Sequence, residues 1–157
     1  MRAVGERQAA RELDEDTLAR RRRVLGEDHP DTLTSAENLA GLLDRLGEPQ
    51  AARELTEDIL ARRRRVLGED HPDTLWSAFS LAAELAELGE YQAAKELNED
   101  TLDRRRRVLG DGHPDTMISA SFALILSGLA ADPKAREAME TVMAAWAQSV
   151  QGRQPDG

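Results

Sequence analysis

Between Gly89 and Gly110, the residues Tyr91, Ala94, Leu97, Thr101, Val108 and Leu109 recur at the spacing of one helical face, with charged residues filling most positions between them. The pattern predicts a helix over about 90–109, closed by Gly110. A second stripe lies between Gly68 and Gly89 and predicts a shorter helix over about 72–88. Asp70 stands where an N-cap belongs, Pro72 suits a first turn whose amides have no intrahelical acceptor, and Asp73 follows the cap by three residues. Gly89 ends that helix, because a residue without Cβ enters the left-handed conformation at little cost.

The same helix pair recurs. His-Pro-Asp-Thr stands at 29–32, 71–74 and 113–116, a constant interval of 42 residues, and 6–47 matches 48–89 at about three quarters of positions. A fixed period of this length means stacked units that bury their apolar faces on one another rather than in one central core. The expected architecture is an all-α solenoid of antiparallel helix pairs, with seven helices in a single repeat domain over 1–150. A lone second-type helix at 6–25 precedes repeats at about 30–67, 72–109 and 114–148, so the array starts in mid-repeat. The last unit diverges as a capping unit does. Gly112 replaces the capping aspartate, Ala131 replaces the turn glycine, and Ala135, Ala138, Met139, Val142, Met143 and Trp146 mark a final helix at 133–148. Residues 151–157 are polar and contain Pro and Gly, the composition of a disordered tail.

Composition narrows function more than fold. A net charge of -9 argues against a general nucleic-acid binder, whose affinity comes from accumulated positive charge. There is no run of 18 or more apolar residues, no apolar N-terminal stretch of a secretory signal, and no cysteine. A soluble cytoplasmic protein engaging neither membrane nor nucleic acid is the expectation. Arginine greatly outnumbers lysine, a bias that fits a GC-rich bacterial genome.

Leu39-Ala40, Leu43 and Gly47, then Ala52, Leu55 and Leu60, followed by Val66-Leu67-Gly68-Glu69-Asp70-His71-Pro72-Asp73, resemble the tetratricopeptide repeats of kinesin light chain, the 42-residue branch of that family. The resemblance covers nearly all of 6–130. It implies a right-handed superhelix whose first helices line a concave groove that binds peptides or protein segments. Similar bacterial arrays often sit beside nucleotide-driven signalling ATPases, but this chain has no Gly-x-x-x-x-Gly-Lys phosphate loop.

Catalysis is hard to build from these residues, and no cofactor is expected. His29, His71 and His113 recur in register, yet equivalent residues of stacked units stand on the order of 10 Å apart. Zinc ligands must meet within about 2.1 Å of one ion. A role in setting the helix start is the better reading for all three. The runs Arg20–Arg23, Arg62–Arg65 and Arg104–Arg107 look like an anion ladder, but they fall in the last turns of helices, where cations complement the dipole. Asp16, Asp58 and Asp100 precede Arg20, Arg62 and Arg104 by four residues and should pair with them. Angular position puts Arg21, Arg63 and Arg105 amid the stripe of Ala10, Leu13, Thr17, Val24 and Leu25. These three should be partly buried, with carboxylates of the Asp28 and Asp31 type as nearest partners. Arg23, Arg65 and Arg107 should point farthest out.

Copies differ mainly in their first helix, where Thr34, Glu37, Asn38, Gly41, Leu42, Asp44 and Arg45 correspond to Trp76, Phe79, Ser80, Ala83, Glu84, Ala86 and Glu87. Positions 34, 37, 38, 41 and 45 share one helical face, which in the resembled family lines the groove. The third copy places Ile118, Ser121, Phe122, Ile125 and Leu129 there. A constant scaffold with a varied face suits side-chain-specific binding, and Trp76 and Phe79 are typical interface anchors. Drift of duplicated units wherever packing allows would also produce such variation. The candidate ligand-binding set is therefore Thr34, Glu37, Asn38, Gly41, Asp44, Arg45, Trp76, Phe79, Ser80, Ala83, Glu87, Ile118, Ser121 and Phe122. Asn38 matches a family asparagine that contacts peptide backbone, but Ser80 and Phe122 replace it in the other copies. A non-catalytic binding scaffold is the first expectation. A self-assembling module, joined through Ala10, Leu13 and Leu18 left uncovered on the N-terminal helix, is the alternative.

Overall fold

The computed structural model describes residues 2–132, 134 and 137, with the side chains of 2–4 excepted. Among these residues six helices follow one another: α1 (Arg2–Leu25), α2 (Pro30–Arg45), α3 (Pro49–Leu67), α4 (Pro72–Glu87), α5 (Tyr91–Leu109) and α6 (Pro114–Ala131). Of the expected seventh helix, 133–148, only 134 and 137 are described, both helical, and the rest of it and the tail at 151–157 lie outside the described residues. Each helix packs chiefly on the next in the chain, which makes the molecule an α-solenoid. Its apolar interior is accordingly divided. Leu18, Ala36, Leu39, Leu43, Ala52 and Ile59 join α1 to α2 and α3, while Leu60, Ala78, Leu81, Leu85, Tyr91, Ala94, Leu126 and Leu129 join α3 through α6.

Boundaries lie close to those the sequence predicts, but the capping chemistry differs. His29, His71 and His113 are the N-caps. Their Nδ1 atoms accept the amides of Asp31, Asp73 and Asp115 at 3.1, 3.1 and 3.2 Å. The expected cap, Asp70, is instead taken by the following repeat, where Arg104 Nη1 donates at 2.9 Å and Arg107 Nη2 spans both carboxylate oxygens at 2.8 Å. Asp28 is gripped in the same way by Arg62 and Arg65. These hydrogen bonds hold the Asp28 and Asp70 carboxyls below the usual carboxylate range. Gly112 therefore costs the third unit this inter-repeat grip and leaves its cap intact. At the other end of α4, Gly89 sits at φ +79°, and Glu90 N–H donates to the Leu85 carbonyl at 2.8 Å, which closes the last turn. Ala131 has no such freedom, and α6 runs on to that residue.

The phase deduced for the arginine runs holds for the buried members and fails beside them. Arg63 and Arg105 are buried and Arg21 is half-buried, while Val24, Val66 and Val108, placed on the same stripe, are exposed. The buried guanidiniums do not seek the carboxylates expected of them. Arg21, Arg63 and Arg105 each donate from Nη1 to the backbone carbonyl of Asp31, Asp73 or Asp115 and to the hydroxyl of Ser35, Ser77 or Ser119. Asp16–Arg20, Asp58–Arg62 and Asp100–Arg104 pair at 2.8 Å as the four-residue spacing demands. Arg65 and Arg107 are exposed but engaged, by Asp28 and Asp70. Leu18 is buried against α2 and α3, contrary to its assignment to an uncovered end, whereas Leu13 remains 65% exposed. By length and composition α6, with mean hydropathy 1.3, is apolar enough to cross a membrane, but it carries the same packing serine as α2 and α4 and rests on α5.

Candidate functional site

The first helices of the three units, α2, α4 and α6, carry the face on which the copies differ. Two depressions open on it. A cavity of about 280 Å³ lies between α2 and α4, lined by Glu37, Ala40, Gly41 and Asp44 on one side and Trp76, Phe79, Ser80, Ala83 and Glu84 on the other. Thr56 and Ile59 of α3 form its floor. A more open one of about 380 Å³ lies along α6, lined by Phe79, Met117, Ile118, Ser121, Phe122 and Ile125. Phe79 belongs to both. Its ring centroid is 6.0 Å from Trp76 and 5.6 Å from Phe122, the latter edge-on, so three aromatic rings form a ladder from the first cavity to the second.

Of the candidate residues, Gly41, Asp44, Trp76, Phe79, Ser80 and Ala83 meet at the first cavity and Ile118, Ser121 and Phe122 at the second. Others are committed elsewhere or stand apart. Glu37 reaches the first cavity but makes a two-pronged pair with Arg63, at 2.7 and 3.1 Å. The Thr34 hydroxyl donates to the Pro30 carbonyl of its own helix and lines a different surface hollow, beside Leu33 and Arg63. Asn38 and Arg45 are exposed, and neither lines the cavities. Phe79 occupies in its unit the position Glu37 holds in the first, and the substitution is chemically legible. The guanidinium carbon of Arg105 stands 5.1 Å from the Phe79 ring centroid, so a π face replaces a carboxylate as the neighbour of the buried arginine.

Glu84 is the residue that sequence reasoning left out of the site. It stands where the flanking units have Leu42 and Leu126, and like them it is buried, at 5% exposure. Thr56 donates to Oε1 at 2.7 Å, while Oε2 is buried without a hydrogen-bond partner. Burial pushes its carboxyl up to about 7, the threonine opposes this, and Asp44, Glu87 and Glu57 add to it by repulsion. Burial and the neighbouring Asp44 also raise Glu87, a candidate residue that lines neither cavity. The signal was present, since a leucine of a packed stripe becomes Glu in one copy, but that position lies beside the face chosen for its variability.

Glu84 gives stability a pH dependence of definite sign. The folded protein keeps on it a proton that the unfolded chain releases near the ordinary glutamate value of 4.5. Stability should therefore fall as pH rises from about 4.5 through about 7, because the folded state must ionise a buried group. Glu84→Leu should reduce that slope to the part Glu87 supplies and raise stability by about 1–3 kcal/mol at pH 7.5, read from urea midpoints. Asp28 and Asp70 act in the opposite sense and at lower pH, below the normal carboxylate range.

The sequence matches the tetratricopeptide repeat in three consecutive stretches, residues 1–31, 32–73 and 74–115. The chain belongs to the tetratricopeptide repeat family. Among solved structures it is similar to a Podosopora anserina protein described as a kinesin light chain with nearly identical TPR-like repeats, at 29% identity and a TM-score of 0.75, covering 98% of this chain and 73% of that one. A single-substitution variant of the same protein gives 30% identity and a TM-score of 0.72 over the same shares. BtubC (BKLC) from P. vanneervenii has the same fold at 19% identity, with a TM-score of 0.74 over 98% of this chain and 61% of that one. No protein among those with curated descriptions matches it in sequence. This tetratricopeptide repeat protein is thus of the kinesin light chain-like type, as its 42-residue period implies. Tetratricopeptide repeats serve generally as protein-interaction scaffolds.

Proposed function

We propose that this protein is a non-catalytic scaffold that holds a peptide or protein segment along the face formed by α2, α4 and α6. The observation that carries this reading is the aromatic ladder: in a chain with only 3% aromatic residues, Trp76, Phe79 and Phe122 are gathered on the variable face and bound two cavities. Trp76 is 43% exposed, an arrangement that gives up little on binding and buries much. In this reading the protein works in the cytoplasm with no cofactor, nucleic acid or membrane. Affinity capture from the source lysate, run in parallel with Trp76→Ala, tests it. At least one protein should be recovered several-fold less by the variant. Equal recovery by both would sink the groove as the binding surface.

A second reading is self-association through α1, and Leu13 supports it by standing exposed on that helix. Burial of Leu18 shrinks the surface on offer. Sedimentation at rising concentration should show mass increasing for the wild-type chain and less so for Leu13→Glu. A constant monomer mass up to millimolar concentration would dispose of this reading.

A further inference from the structure

The cavity between α2 and α4 has a chemistry that the rest of the face lacks. Two carboxylate oxygens at it, Glu84 Oε2 and Asp44 Oδ1, are buried with no hydrogen-bond partner. Glu84 as a whole is almost wholly removed from solvent, since only 5% of it is exposed. Such atoms are costly to leave unpaired, and a group that remains so at the wall of an open cavity is suited to a partner arriving from outside. The acids here without an ion pair among the described residues are Asp44 on α2 and Glu84 and Glu87 on α4, while Glu37 is paired with Arg63 and Glu57 with Arg53. Nearby cations are occupied or stand clear: Arg63 is taken up by Glu37, Ser77 and the Asp73 carbonyl. Arg45 lines neither cavity; its Nη1 is 3.7 Å from where a Cβ on Gly41 would sit, and it makes no ion pair among the described residues. Trp76 and Phe79, on the same α4 wall as Glu84 and across from Asp44, add aromatic rings of the kind that attract cations.

We infer that this cavity receives a protonated basic side chain, lysine or arginine, from the segment bound along the groove. The inference rests on the groove reading above and names the chemistry of one of its anchors. Carboxylates on both walls, with aromatic rings beside Glu84, match the two ways a guanidinium or ammonium is held, by charge-assisted hydrogen bonds and by stacking. At about 280 Å³ the space falls just under the usual range for small-molecule pockets, about 300–1,000 Å³, and suits a single side chain. Glycine at 41 and alanine at 83, where bulkier residues would fill the opening, keep it clear. The third unit cannot offer the same chemistry, for Leu126 replaces Glu84 and Gly128 replaces Asp44. The second cavity, walled by Phe79, Ile118, Phe122 and Ile125, takes an apolar side chain of the same segment.

Entry of a cation favours the ionised acids, so affinity should tighten as pH rises through about 7, where Glu84 and Glu87 ionise, with Asp44, Glu37, Glu57, Arg45 and Arg63 as the other charges facing them. The probe is a soluble library of degenerate decapeptides, selected on immobilised full-length protein at 0.15 M salt, on the double variant Asp44→Asn with Glu84→Gln, and on Trp76→Ala. The two amide substitutions keep side-chain shape and remove only two negative charges, and thermal melts confirm that each variant folds. Wild-type protein should recover peptides enriched at least threefold in lysine plus arginine over the input. The double variant should still recover peptides but without that enrichment. In one recovered peptide, replacing the key arginine by citrulline should weaken binding about tenfold, and wild-type affinity for the unaltered peptide should rise several-fold between pH 5.5 and 8. Enrichment that is absent, or that survives in the double variant, overturns the inference and leaves the groove reading standing. Recovery indifferent to Trp76→Ala overturns both.

Discussion

Arg105→Ala should destabilise the protein by about 3–5 kcal/mol, measured as a shift in the urea transition. This guanidinium is 1% exposed and ties three helices together. It donates to the Asp115 carbonyl at 2.9 Å and the Ser119 hydroxyl at 2.7 Å at the start of α6, and it covers the Phe79 ring on α4. Removing it empties a long buried channel, strands two acceptors and bares one face of an aromatic ring. Burial lowers its pKa from the ordinary arginine value, with Asp115 pulling the other way, so the site holds the charge at some cost to its hydration. Lysine should restore only part of the loss, because an ammonium can donate to both acceptors as Nη1 does but cannot lay a planar face on Phe79. Full stability in Arg105→Ala would mean that the buried arginines are passengers rather than ties between units.

Leu81→Ala should cost about 2–5 kcal/mol, because Leu81 is a buried member of the cluster that joins α3, α4, α5 and α6. Arg23→Ala, at an exposed position with no ion pair among the described residues, should stay within about 0.5 kcal/mol. Since each unit is stabilised through its neighbours, the Leu81 cavity weakens two interfaces at once. Comparable shifts for the two substitutions in urea melts would show that the face assigned to packing on α4 is wrong.

The fold was largely legible because repetition averages over the ambiguity of any one segment. The interval between His-Pro-Asp-Thr motifs and the glycines at 47, 68, 89 and 110 set the helix limits within a residue or two of those observed. Burial of Arg63 and Arg105 followed from angular position alone. What failed depended on contacts between units, which one helix cannot reveal. Asp70 looked like the cap in sequence, but Arg104 and Arg107 hold it from 34 and 37 residues away and His71 is the cap. Leu18 looked uncovered because no helix precedes it in the pattern, yet α2 and α3 return to the same side. For the candidate site, the choice of face located most of the cavity lining but missed Glu84 and Thr56, whose pairing across 28 residues depends on how α3 docks on α4. It also counted Glu37 as a free contact, though the buried Arg63 already holds it.

The most direct test of the binding surface is a chemical-shift map on isotope-labelled protein, titrated with a decapeptide recovered by the wild-type chain. The largest changes should fall on the Trp76 indole and the amides of Gly41, Asp44, Ser80, Ala83 and Ser121, with those of α1 and the outer face of α5 unmoved. Changes centred on α1 or on the arginine runs, with Trp76 and Ala83 silent, would contradict the account.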